Sequence, residues 1–262
     1  MAFNVLRISG KNFLYLQMKK CLNCGIYSNG NYCPECGLEF EIKRLEVKTI
    51  FHDVTHGILH WENSILKTFR QMLLKPGDTA KDYISRQRKT FVKPFTYFIF
   101  IQTIYVVLFH SMNGQFFAFM NFNITTTDAT QTAIEHTQHM VNSYANYLNY
   151  FMPVFFALFF YLLYKKKTGI NFAESIAISF YWVGSSMVFG VILMLLSLID
   201  MRIWNARILV NFAFLFFAIM QFAKGPKFKG TLKSLLTLFL ANVSYGLFVL
   251  LVLYLYFSVF NE

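Results

Sequence analysis

The residues best spaced for chemistry are the cysteines, four in the whole chain: Cys21-Leu-Asn-Cys24-Gly25 and Cys33-Pro34-Glu35-Cys36-Gly37, with eight residues between Cys24 and Cys33. Two Cys-x-x-Cys-Gly knuckles supply four thiolates in the tetrahedral set that Zn²⁺ prefers, and each glycine is free to take the positive-φ turn that folds backbone N–H groups toward sulfur. The spacing predicts a structural zinc ribbon over residues 21–40, with disulfides or an iron site as the alternatives. All four ligand positions are filled, so the metal has no open position for catalysis. Thiols of this kind persist as ligands in a reducing cytosol, which assigns the N-terminal side of the chain to the cytoplasm.

A second constellation is the histidine stripe, His52, His56 and His60, repeating every fourth residue with Asp53 and Glu62 nearby. Imidazoles at i, i+4 share one helix face and suit a transition metal or, with a carboxylate, acid–base work at a membrane interface. The plainer alternative is histidines resting among lipid headgroups. Arg207 and Asn211 fall on one face of an otherwise apolar segment, and intramembrane arginine is a candidate for a transport site, although Arg207 lies close enough to Arg202 to snorkel outward. Glu135 and His139 stand at i, i+4 in a polar stretch, and Asn123-Ile-Thr125 is a glycosylation sequon that matters only in a eukaryotic host.

The elements that must position these groups are legible in the hydropathy. The chain has 262 residues, 56% hydrophobic, 19% aromatic and 14% charged, the balance of a membrane protein. Five apolar segments are long enough to be read as spans, 94–112, 147–164, 175–199, 203–223 and 235–260. Before them, Val47 to Lys75 repeats apolar residues at three-and-four spacing, including Val54, Ile58, Trp61, Ile65, Phe69 and Met72, and stops at Pro76-Gly77. A shorter helix from about Thr79 to Lys89, capped by Asp78 or Thr79, carries Lys81, Arg86, Arg88 and Lys89, followed by Lys93. Residues 47–93 are therefore expected to lie on the membrane as amphipathic, basic elements that bind anionic lipid headgroups. Residues 1–20 have no signal-peptide core and are expected to form a disordered N-terminal extension.

Charge sets the orientation. Of 24 Lys and Arg, 15 precede Pro94; with Lys165-Lys166-Lys167 and Lys224, Lys227, Lys229 and Lys233, 22 fall on the ribbon's side and only Arg202 and Arg207 on the other. The positive-inside rule thus agrees with the thiol chemistry: N-terminus cytoplasmic, loop 113–146 and C-terminus outside. The net charge of +11 is met by lipid here, and no nucleic acid is expected.

Several motifs in order, the two Cys-x-x-Cys-Gly runs with Tyr32 before Cys33, His56-Gly-Ile-Leu-His60, Thr68-Phe69-Arg70, Lys75-Pro76-Gly77 and Tyr83 through Arg88 to Lys93-Pro94-Phe95, resemble bacterial zinc-ribbon membrane proteins of the domain-of-unknown-function 3667 family. The resemblance covers roughly residues 21 to 100; Leu38 and Ser85-Arg86-Gln87-Arg88 depart from its usual pattern. It implies a bacterial inner-membrane protein of about five passes with a cytoplasmic ribbon, and it implies no known reaction.

The reading as a whole is an all-α integral membrane protein, about five transmembrane helices preceded by a small zinc ribbon and interfacial amphipathic helices. Its role leans away from catalysis, toward a scaffold or regulator offering the ribbon to a protein partner. A small permease or lipid-handling protein is the alternative, and an interface enzyme on His52, His56 and His60 a further one, although no nucleotide-binding glycine loop, nucleophile elbow or paired-histidine protease motif accompanies it.

Overall fold

The computed structural model of the chain describes residues 19–21, 24–37, 40, 45–47, 64–85, 90–112, 147–224 and 227–260. The chain divides into two units, Met1–Lys43 and Arg44–Glu262. In the first, β1 (Lys19–Lys20) pairs antiparallel with β2 (Tyr27–Ser28), Lys19 opposite Ser28 and Lys20 opposite Tyr27.

The second unit is helical: α1 (Ser64–Leu74), α2 (Pro76–Ser85), α3 (Pro94–Ser111), α4 (Met152–Thr168), α5 (Phe172–Leu196), α6 (Ala206–Ala223) and α7 (Lys227–Phe260), with 3₁₀ turns at Asn149–Phe151 and Met201–Asn205. Four helical stretches are long and apolar enough to cross a membrane, Pro94–Ser111, Phe172–Leu196, Met201–Ala223 and Phe228–Leu255. The expected second span is not among them. Its residues begin as a 3₁₀ turn, and α4 has 17 residues of which Lys165, Lys166 and Lys167 form the last turn. The fifth segment starts eight residues sooner than its hydropathy suggests, because Lys227, Lys229 and Lys233 extend the same helix beyond its apolar part.

The bundle is organised around α5, whose sequence alternates bulky residues with Ala173, Ser175, Ala177, Ser179, Gly184, Ser185, Ser186 and Gly190. Small residues let neighbouring backbones come close, the usual basis of helix packing where no water is present to drive association. A Cβ on Gly184 would stand 3.3 Å from the Phe98 Cα of α3, and one on Gly190 would stand 3.2 Å from the Tyr105 ring. The polar side chains of α5 reach outward to each neighbour: Ser175 donates to Ala157 O of α4 at 2.8 Å, Ser185 shares a hydrogen bond with Tyr97 of α3 at 2.9 Å, Tyr181 donates to Val92 O, and Trp182 Nε1 donates to Pro76 O of α2 at 3.0 Å. Around Trp182 the rings of Phe156, Phe160 and Phe222 meet edge to face at 5.2–6.1 Å, bringing α4 and α6 into the same core.

The start of α5 has a full capping box. Asn171, extended at φ −92°, accepts from Glu174 N at 2.7 Å, while Glu174 Oε2 accepts from Asn171 N at 2.8 Å. The Asn171 amide also donates to Leu45 O at 3.0 Å, tying the chain that follows the first unit to this helix start. Gly169 at φ +69° ends α4 in the left-handed conformation, with its N–H on Lys165 O.

The segment read as interfacial departs from expectation. Its second helix, described as Pro76–Ser85, starts three residues before the anticipated Thr79, since proline at the first helical position lacks only an N–H that has no partner there anyway. Thr79 is not the cap; its hydroxyl donates back to Lys75 O at 2.7 Å. The stripe residues Met72 and Leu73, with Ala80 and Tyr83 of α2, pack into the main core of the bundle, so this part of the apolar surface faces protein, and Phe69 lies partly buried at its edge. Residues 1–18, 48–63, 86–89 and 113–146 lie outside the described residues, and with them His52, His56, His60, Arg86, Arg88, Lys89, Glu135 and His139.

Contact between α2 and α6 is closest at Gly77, where a Cβ would meet Phe222 N at 2.4 Å and the Gln221 carbonyl carbon at 2.8 Å, both backbone atoms that cannot swing aside. Gly77 N also donates to Gln221 Oε1 at 2.7 Å. Gly77→Ala is therefore expected to cost about 1–3 kcal/mol through overpacking and to lower the thermal unfolding midpoint of the purified protein. Gly246→Ala, with nothing within 4 Å of its Cβ, is expected to leave that midpoint unchanged or slightly raised.

Candidate functional site

In the first unit the four cysteines converge. Their sulfurs all lie within 4.8 Å of one another, with Cys21 to Cys36 at 3.5 Å and Cys24 to Cys33 at 3.3 Å. A tetrahedral thiolate site with arms of about 2.3 Å has edges of about 3.8 Å, so the cluster has the size and donor type of a four-sulfur metal site. Each knuckle is closed in the same way. Gly25 N donates to Cys21 O at 3.0 Å and Gly37 N to Cys33 O at 2.8 Å, with the glycines at φ +82° and +63°, where a side chain would be strained. The β1–β2 pair holds the first knuckle, Cys21 N donating to Ile26 O at 2.7 Å; Phe40 N on Asn31 O at 2.9 Å braces the second.

Cys21 and Cys33 are buried, Cys24 is exposed and Cys36 lies between. The Ile26 backbone N–H lowers the Cys24 thiol's pKa, but hydrogen bonding to Cys33, desolvation, and bonding to Cys21 and Cys36 outweigh it and push it up to about 12. Four thiols crowded together resist ionising because each new thiolate would repel the next. A divalent cation at their centre reverses that preference and takes the place of the protons.

In the second unit the structure separates residues that sequence had grouped. Arg207, in the first turn of α6, places its guanidinium 4.0 Å above the Trp204 ring, near the Tyr105 side chain of α3. It is thus fastened to an aromatic cluster of Tyr105, Phe109 and Trp204 at the Asp200 end of the bundle. Asn211, one turn deeper, buries an Oδ1 that has no hydrogen-bond partner among the described residues. Asn242 donates to Leu238 O of its own helix at 2.8 Å rather than to another helix.

Of the basic residues assigned to headgroups, Lys81 is half-buried, its ammonium 5.2 Å over the Phe222 ring. Burial lowers its pKa, and Lys224 and Lys167 lower it further against the opposing pull of Asp78. Three lysines from α2, α4 and the end of α6 therefore share one neighbourhood, where Asp78, 3.5 Å from Lys224, answers them. Lys93 precedes α3 directly, in extended conformation. Nothing in the sequence signals this convergence, since the three lysines stand far apart, whereas Asn171-x-x-Glu174 has the spacing of a capping motif just before an apolar run.

No curated protein and no solved structure matches the chain. Residues 62–106, which hold α1, α2 and most of α3, are similar to the family described as Protein of unknown function (DUF3667).

Proposed function

We propose that the chain is a multi-pass membrane protein whose four-cysteine unit binds one structural Zn²⁺ and serves as a docking module, making the protein a membrane-embedded scaffold or regulator. The observation that carries this is the closed sulfur set: with Cys21, Cys24, Cys33 and Cys36 as ligands, the metal keeps no position for substrate or water. The unit also exposes Ile26, Tyr27 and Tyr32, at 40%, 60% and 59%, an apolar display suited to a protein partner. A permease role draws less support, because Arg207 is engaged with Trp204 and Tyr105 in a structural contact. Purified protein should contain about one zinc per chain. Replacing the four cysteines with serine should abolish that zinc while leaving unfolding of the helical unit unchanged. A photo-crosslinker at Tyr27 should give a discrete protein adduct in cells, lost in the serine variant; zinc retained by that variant, or an adduct independent of it, would refute this reading.

The orientation proposed is N-terminus in the cytoplasm and C-terminus outside, with five crossings that include the short α4 in a bacterial inner membrane. Its support is the alternation of consecutive helices, which gathers Lys93, Lys165–Lys167, Lys224, Lys229 and Lys233 at one end and leaves Arg202 and Arg207 at the other. Reporters fused after Glu262 should be active only in their exterior form. Cytoplasmic activity there would mean that α4 does not cross.

A further inference from the structure

Between α1, α3 and α5 lies a groove of about 250 Å³ whose walls include Phe69, Val92, Phe100, Ile104, Val188 and Ile192. Hydrocarbon is all it presents: the two hydroxyl-bearing residues lining it, Thr96 and Tyr97, turn no polar surface to it, and the Tyr97 hydroxyl is bonded to Ser185. Phe100, Ile104 and Ile192 are each more than a third exposed, so the groove opens sideways from helices that are apolar enough to cross a membrane. From Thr96 to Ile104 it follows α3 for about 12 Å, most of the roughly 15 Å of hydrocarbon in one leaflet. A volume of about 250 Å³ over that length leaves a cross-section of about 20 Å², too small for another helix of about 10 Å diameter.

One end of the groove is basic. Val92 forms its wall there and donates its N–H to Thr68 Oγ1 at 3.0 Å, fixing α1 against the start of α3. Beside it the exposed Lys67 holds its ammonium 5.9 Å over Phe91, and Lys93 immediately precedes the first turn of α3. That turn opens with Pro94 and has no side-chain cap, so its backbone N–H groups face the same region and favour an anion. An apolar channel one leaflet long, with two lysines and a helix start at one end, matches the two halves of an anionic phospholipid.

We propose that this groove is a binding site for a single anionic phospholipid, one acyl chain lying along α3 and α5 and the phosphate held by Lys67, Lys93 and the first turn of α3. The proposal rests on the membrane reading above and adds to it a specific ligand site.

The test uses the full chain in vesicles of phosphatidylcholine and phosphatidylglycerol, with a photoactivatable diazirine on the acyl chain of one lipid or the other. Labelling by the phosphatidylglycerol probe is expected to concentrate on peptides containing Phe100, Ile104 and Ile192. Ile104→Trp, which fills the groove, should remove most of it, whereas Leu209→Trp on the exposed face of α6 should not. Lys67→Gln and Lys93→Gln should each reduce the preference for phosphatidylglycerol about fivefold, the factor corresponding to about 1 kcal/mol per cation at an anionic surface. Three results would overturn the site: labelling spread over all exposed faces, equal labelling from both headgroups, or a crosslinker at position 104 that captures protein instead of lipid. Labelling absent from the whole chain would reject the membrane reading as well, which separates the two failures.

Discussion

Helices in hydrocarbon gain little by hiding apolar surface from one another, because lipid is as apolar as leucine; close backbone approach and shared hydrogen bonds must hold them. In this protein those terms converge on α5. Its glycines sit against Phe98 and Tyr105, and its serines, Tyr181 and Trp182 each reach a different neighbour. Pairwise bonds of this kind are worth only about 0.6 kcal/mol on average in membranes, so their weight lies in number and in fixing register. Moving α5 by one residue would break contacts to α2, α3 and α4 together.

The same helix accounts for how the family-matching segment is attached. The Trp182 indole N–H donates to Pro76 O in the first turn of α2. Gly77 then lets α2 come against α6, where Asp78 meets Lys224 and Lys81 covers Phe222. An exposed pair such as Asp78–Lys224 contributes little alone, about 0–1 kcal/mol. Together with the buried Trp182 bond it places a polar, basic layer over the aromatic core.

The cysteine unit answers to a different constraint. Its described residues bury little beyond Cys21 and Cys33, with Cys36 and Phe40 against them, far less than a domain needs to fold on apolar burial alone. Two glycine-closed knuckles and a two-residue strand pair position four sulfurs, and a metal among them would supply the missing stability. That division of labour explains why the cysteine cluster was legible from spacing alone: ligand position there depends on local turns within a few residues, which sequence specifies directly.

By itself the sequence determined the class of the protein, the four convergent thiols, the helical nature of the apolar segments and the family segment around Lys75-Pro76-Gly77, because each depends on composition or on turns of a few residues. Hydropathy placed four spans where the structure has helices long and apolar enough to cross, while the fifth, 147–164, opens as a 3₁₀ turn and continues as the 17-residue α4, a feature that counting apolar residues does not see. Only the tertiary structure decided that Met72 and Leu73 face protein, that Arg207 lies over Trp204, and that Lys81, Lys167 and Lys224 share one neighbourhood. An amphipathic period says that a stripe will be covered, and a lone charge says that it will find a partner. Neither says by what, because the answer is supplied by residues tens or hundreds of positions away that only the packing of α5 brings together.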